Sequence, residues 1–359
     1  MQQDIVKYII TFFKPFVTII LRFFQIDIQF IFRYNSYVMK IGEIEIKGYA
    51  ALAPMAGVSD RAMREICVRY GAAFCVGELT SAKAVVLGDD KSKSLLKSVG
   101  GKIWAPQLFG ADPDIMARAA QKAVEYGPSF IDINMGCPAP KVAASGGGCS
   151  LMRDIPLAER IIKAVVNAVD VPVTVKFRTG WDAEHINAVE LAKAAEFAGA
   201  AALTVHGRTR EQMYAPPVDI KTIAEVKRAV GIPVIANGDI NSGASAKAMY
   251  ENTGCDFLSV GRAARGNPFV FSEINAFMTG KTYAPPTLKE RLCVCEEQID
   301  KMCEYKDGYI AMLEARKHLA WYISGLSGAA ALRREACFVK SKDDITAVIQ
   351  KALELNPDM

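Results

Sequence analysis

The chain has 359 residues, 51% of them hydrophobic and 23% charged, with a formal net charge of +4. That length accommodates one large α/β barrel with a smaller appended domain, and the charge is too small to bind nucleic acid by bulk attraction alone. Nine cysteines, odd in number and scattered, exclude a disulfide framework or a zinc ribbon and point to a reducing, cytoplasmic setting. Cys293, Cys295 and Cys303 form the one loose cluster, but positions two apart on a helix point in different directions, so no metal site is expected.

Residues 1–38 are rich in Ile and Phe but interrupted by Lys7, Lys14, Pro15, Arg22, Asp27 and Arg33. No charge-free stretch approaches the ~20 residues a membrane span needs, so no stable membrane association is expected. Nothing resembling a small-residue cleavage site follows a single apolar core, which argues against a signal peptide. The segment reads as an apolar extension outside the core fold, with an interfacial helix as the second reading. From Met39 a short hairpin leads into the body of the chain.

From Ala51 onward short apolar strands alternate with stretches whose apolar residues recur at three and four, the pattern of a parallel α/β sheet. Strands are expected at 51–53, 74–76, 103–108, 130–133, 173–177, 201–205, 234–236 and 257–260. Helices are expected at 112–126, 156–169, 184–198, 220–230 and 242–252. Eight such units over about 230 residues predict a (β/α)8 TIM barrel. A doubly wound open sheet should carry Gly-x-Gly-x-x-Gly after its first strand, and Ala53-Pro54-Met55-Ala56-Gly57 does not fit. Gly280, Pro285 and Pro286 mark a break, giving a barrel domain over 39–284 and a C-terminal helical-bundle domain over 285–359.

Chemistry in such barrels sits just past the carboxyl ends of the strands. There the chain places Gln107, then Asn134 and Cys137, Lys176 and Arg178, His206 and Arg208, Asn237-Gly238-Asp239, and Gly261-Arg262. Glycines after strands seven and eight let a phosphate approach the backbone, so Gly238 and Gly261 with Arg262 read as a phosphate site. Lys176 is placed either to stabilise an anionic reduced flavin or to pair with Asp132. Gln107 and Asn134 offer both donors and acceptors, suited to the edge of a flavin or pyrimidine. His206 reads equally as a ligand contact or a structural imidazole, and Asp239 as a ribityl contact or a helix cap.

A cysteine that follows the fourth strand in Asp132-Ile133-Asn134-Met135-Gly136-Cys137-Pro138 reads as a proton donor. A thiol is mostly protonated near neutral pH yet can release its proton. In the tail, Arg316, Lys317, Arg333, Arg334, Lys340 and Lys342 face only Glu335 in charge. That run reads either as a solvated helix face or as a grip for RNA phosphates.

Together these motifs resemble the tRNA-dihydrouridine synthases, most closely the bacterial B-type. The resemblance covers the chain from Met39 to its end and includes Lys141, Lys176-Phe177-Arg178-Thr179-Gly180-Trp181, His206-Gly207-Arg208-Thr209-Arg210 and Arg316-Lys317-His318. It implies a flavoprotein that uses NADPH to reduce FMN and then a tRNA uridine to 5,6-dihydrouridine. By similarity, Pro54, Met55, Ala56, Gln107, Lys176, His206, Asn237, Gly238, Asp239, Gly261 and Arg262 would hold FMN, with Cys137 as catalytic acid. Asn134, Lys141, Arg178, Arg316, Lys317, Arg333 and Arg334 would contact the tRNA, and the enzyme would be a cytoplasmic monomer. The competing readings are an FMN-dependent small-molecule dehydrogenase of the dihydroorotate type and a nonenzymatic RNA-binding barrel.

Overall fold

In the computed structural model of the protein, residues 38–98, 100 and 102–359 are described. The expected extension over residues 1–38 lies outside them, Val38 excepted. Strands β1 (Val38–Ile41) and β2 (Ile44–Lys47) form the hairpin. Its inward face buries Met39, Ile41 and Ile46. The turn requires glycine at Gly42, where φ is +57 and a Cβ would come within 2.7 Å of Pro172 Cγ.

Eight parallel strands then close a barrel: β3 (Ala50–Leu52), β4 (Cys75–Ser81), β5 (Trp104–Phe109), β6 (Ile131–Met135), β7 (Val173–Arg178), β8 (Ala202–His206), β9 (Val234–Asn237) and β10 (Phe257–Val260), with β10 returning to β3. The closed ring excludes the open doubly wound sheet. Near the amino ends of the strands Phe74 packs against Phe130 and Phe257 at centroid distances of 5.5 and 5.6 Å, all three buried. This aromatic layer fills the barrel below the strand ends that carry polar groups.

The surrounding helices are α1 (Arg61–Arg69), α2 (Ala82–Leu87), α3 (Asp90–Leu95), α4 (Pro113–Val124), α5 (Pro140–Ala144), α6 (Ile155–Ala168), α7 (Ala188–Phe197), α8 (Ile220–Ala229), α9 (Gly243–Thr253) and α10 (Val270–Met278). Many start on an acidic cap: Asp60, Asp112, Asp154 and Asp219 each accept a backbone N–H from the first turn, a contact worth about 1 kcal/mol. Helix α9 is capped by Ser242 and Ser245, which removes Asp239 from the capping role open to it in the sequence.

Two elements differ from the sequence expectation. Strand β4 runs to Ser81, because Leu79, Thr80 and Ser81 continue its pairing with β5 after a register shift between Val76 and Leu79. Helix α7 starts at Ala188 rather than 184, because Asp182 accepts from the N–H groups of Glu184 and His185 and holds those residues in a turn.

Beyond Thr287, a cap that forms a reciprocal box with Glu290, lie α11 (Leu288–Tyr305), α12 (Gly308–Tyr322), α13 (Ala329–Ala336) and α14 (Lys342–Glu354). Leu292, Ile299, Leu319, Leu332, Ile345 and Val348 make one apolar cluster that also takes in Ile66 of α1 and Phe269 beside α10. Polar ties run alongside it. Lys301 and Tyr305 bond Glu65, Arg69 bonds Glu297, and Lys306 joins Asp60 to Glu314. Residues Met39–Met359 form one compact unit.

Candidate active site

The carboxyl ends of the strands surround a cavity of about 800 Å³. Cys137, Asn134, Arg178 and all eleven residues assigned to the cofactor by resemblance line it. Lys141, Arg316, Lys317, Arg333 and Arg334 do not line it.

One wall is a ladder of side-chain amides. Asp132 is fully buried on β6 and accepts Thr174 Oγ1 at 2.5 Å and Gln107 Nε2 at 2.7 Å. Those two bonds fix the Gln107 amide, whose Oε1 accepts Asn134 Nδ2 at 2.9 Å. The Asn134 Oδ1 then accepts the backbone N–H groups of Gly136 at 3.2 Å and Cys137 at 2.8 Å. The turn bearing the thiol is thus oriented by a buried carboxylate through two amides. Burial pushes the Asp132 carboxyl up to about 6, against the bonds from Thr174 and Gln107.

Close backbone approach holds the same turn from outside. A Cβ on Gly136 would stand 3.1 Å from Phe177 Cα, and Gly148, at φ +58, lies where a Cβ would meet Cys137 O at 2.7 Å. The Cys149 N–H donates to Cys137 O at 3.1 Å. These contacts account for the glycine at Gly148.

Arg178 is 2% exposed and donates to three carbonyls, Gly136 O at 3.0 Å, Thr209 O at 2.9 Å and Met213 O at 2.8 Å. Arg178, expected to contact the tRNA, thus lines the cavity while bonded to the protein backbone. Arg178 ties the cysteine turn to the loop after β8, because a buried guanidinium needs its donors satisfied. Lys176 is paired with Asn237 Oδ1 at 3.1 Å rather than with Asp132. Burial and the neighbouring Arg178 bring its ammonium down to about 8.

The opposite wall is charged. Arg208, 1% exposed, donates through Nη2 to Asp239 Oδ2 at 2.5 Å and through Nε to Ala215 O at 2.7 Å, and its Nη1 lies 3.3 Å from His206 Nε2. Arg262 Nη2 donates to the other Asp239 oxygen at 2.9 Å, and its guanidinium lies 4.8 Å from the Tyr214 ring centroid. Asp239 sits at φ +47, next to Gly238 at φ +132. At Gly261 the nearest atom to a built Cβ is 3.9 Å away, so the backbone there opens onto the cavity.

The loop after β3 closes the rim. Met55 and Ser59 bond each other, Gly57 N–H donates to the buried Glu78 carboxyl, and Lys317 Nζ lies 3.0 Å from where a Gly57 Cβ would stand. Lys141 is exposed three residues beyond the Cys137-Pro138 turn. Arg316 donates to Val339 O at 3.1 Å, while Arg333 and Arg334 are exposed on α13. Sequence reasoning gave no role to Glu78, Tyr214 or Arg208. Of these Arg208 alone carried a signal, its place at a strand end beside His206.

A family model described as dihydrouridine synthase (Dus) matches residues 51–356. A protein of Shewanella oneidensis named tRNA-dihydrouridine synthase B is 46% identical over 287 residues, covering 79% of this chain and 89% of the relative. A Rickettsia conorii protein named probable tRNA-dihydrouridine synthase is 40% identical over 320 residues, covering 88% and 96%. Among solved structures, an amine oxidase for 6-hydroxypseudooxynicotine from Pseudomonas geniculata superposes with a TM-score of 0.54 at 14% identity. It covers 71% of this chain, which spans half the length of that protein. An old yellow enzyme homologue from Zymomonas mobilis gives 0.50 at 14% identity, covering 72% and 95%. At that identity the likeness concerns the barrel fold alone.

Proposed function

Because the chain belongs to the dihydrouridine synthase family, we propose that it is an FMN-dependent tRNA-dihydrouridine synthase that draws its electrons from NADPH. The carrying observation is the cavity itself, in which a thiol on a fixed turn faces an anion-receptive wall across about 800 Å³. The residues present fit a flavin mononucleotide. Gly238 and the open backbone at Gly261, with the Arg262 guanidinium beside them, suit its phosphate. Lys176 and His206 offer a cation and a hydrogen-bonding ring to its pyrimidine edge, and the loop Pro54-Met55-Ala56 supplies an apolar rim.

Bound there, FMN would supply hydride chemistry, with NADPH as the source of the electrons and C6 of uracil as their destination. The chain does the rest. Cys137 Sγ gives its proton to C5, so hydride and proton together saturate the C5=C6 bond, and solvent returns the proton to sulfur. Asn134 holds the Cys137 backbone so that the thiol does not drift as the base arrives. Lys176 would offer a cation to the cofactor's pyrimidine edge and stabilise negative charge gained there. A uridine reaches such a site only when turned out of the folded RNA.

The tRNA is gripped at the rim by Lys141 and Lys317 and farther out by Arg316, Arg333 and Arg334, with residues 285–359 serving as the RNA-binding part. Among the described residues no helix is long and apolar enough to cross a membrane, and the enzyme works as a monomer in the cytoplasm under this reading. The test is to purify the protein, record its visible spectrum, and follow anaerobic reoxidation of the NADPH-reduced sample by unmodified tRNA. Reoxidation with dihydrouridine in the product is expected. A flavin that tRNA leaves reduced would point to the small-molecule dehydrogenase instead.

A further inference from the structure

His206 is a buried histidine whose one ring neighbour at hydrogen-bond distance among the described residues is an arginine, and that fixes its chemistry. Its Nε2 lies 3.3 Å from Nη1 of Arg208, a side chain only 1% exposed. A guanidinium has five N–H donors and no acceptor. The imidazole nitrogen facing it therefore accepts, and the ring proton resides on Nδ1. Arg208 cannot turn away to accommodate the other tautomer, because Nη2 is held by Asp239 at 2.5 Å and Nε by Ala215 O at 2.7 Å. Asp239 is in turn held by Arg262. Nδ1 has no protein partner among the described residues and is not a sealed orphan atom, while the ring lines the cavity. The free N–H therefore has the cavity's contents as its partner.

We propose that Arg208 is a positioning residue that holds His206 neutral with its proton on Nδ1, making the imidazole a fixed hydrogen-bond donor to the cavity rather than a proton source. The charged groups around the ring agree. Lys176 and Arg178 on β7, Arg208 after β8 and Arg262 after β10 are all cationic, and Asp239 after β9, the lone carboxylate of the set, is bonded to two of them. With burial the largest cause, they drive the imidazole far below its ordinary range. His206 then makes the same contact at every physiological pH, and the acid role is left to Cys137. The acceptor it meets, a carbonyl or ring nitrogen of a flavin pyrimidine edge, rests on the function proposed above. The tautomer does not.

The chain has three histidines, His185, His206 and His318, so 15N-histidine labelling yields three ring systems, assigned with His206→Gln. The wild-type protein is expected to show His206 with Nδ1 protonated, Nε2 unprotonated and no titration from roughly pH 8 to 5. Arg208→Met should populate the Nε2–H form. Arg208→Lys, which keeps the charge but not the fork, should keep the ring neutral while mixing the tautomers. A wild-type proton on Nε2, or titration within that window, overturns the proposal whether or not the variants fold. An unchanged Nδ1–H form in a folded Arg208→Met protein removes Arg208 from the role. The visible spectrum of the same samples reads the flavin assignment separately. A colourless protein with Nδ1–H on His206 would defeat that assignment and leave this one standing.

Discussion

The two walls of the cavity solve the same problem, holding polar side chains still at a barrel mouth, with opposite materials. On the β5–β6–β7 side the means are a chain of amides on one buried carboxylate, linked as Thr174, Asp132, Gln107 and Asn134, with the Arg178 guanidinium holding the same cysteine turn at Gly136 O. On the β8–β9–β10 side they are a buried arginine, a carboxylate on left-handed backbone and a second arginine, with His206 against them. The difference teaches what each wall meets. Amides bonded to the backbone of the cysteine turn fix where the thiol stands, whereas cations and open glycine backbone suit an anion.

The comparison can be broken most sharply at the thiol. Cys137→Ala is expected to retain flavin and lose about 10²–10⁴-fold of turnover on tRNA, the range for a missing general acid. Unchanged dihydrouridine formation in a quantitative nucleoside assay would remove Cys137 from the mechanism. On the charged wall, Arg262→Ala should weaken FMN binding roughly 10- to 100-fold, the worth of one hydrogen bond to a charged group, while leaving Cys137 in place. Flavin titration of the apoprotein measures it, and equal affinity would move the phosphate away from Arg262.

The amide wall also makes a pH prediction. The Asp132 carboxyl stands at about 6 in the fold against 3.8 when unperturbed. The folded protein therefore keeps a proton there that the unfolded chain has released. Its contribution to stability is full below about pH 4, falls as pH rises towards 6 and is level above that. Asp132→Asn should flatten this part of the stability curve in urea titrations at successive pH values. It should also cost ~1–3 kcal/mol, because an amide cannot accept from Thr174 and Gln107 as two carboxylate oxygens do. A slope identical to wild type would assign the titration elsewhere. The smallest effect is expected farthest from either wall. Arg333→Ala with Arg334→Ala should lower the salt dependence of tRNA binding by about one unit of slope for each phosphate that is no longer neutralised. An unaltered slope marks these arginines as a solvated face.

The barrel was legible because most of its strands contain short, mostly apolar runs bounded by polar or turn residues, as in Phe130 to Ile133 or Phe257 to Val260. The end of β4 was not, since Gly77 to Ser81 carries no apolar run and is paired through its neighbour. Which side chains stand at strand ends could be read from the same pattern. Their partners could not: Lys176 bonds Asn237, sixty-one residues away, and Asp239 is bonded by Arg208 and Arg262 rather than capping α9. Such pairings depend on which strands become neighbours and on rotamers chosen under burial, neither of which leaves a periodic mark. The core that α11 to α14 share with Ile66 of α1 is hidden for the same reason.

Gly42 of the hairpin of β1 and β2 packs onto Pro172, which leads into β7, so the hairpin sits at the amino end of the barrel. The cavity lies at the opposite, carboxyl end of the strands. Under the proposed function NADPH and tRNA would use that mouth in turn, and initial-rate lines for the two substrates are then expected to run parallel.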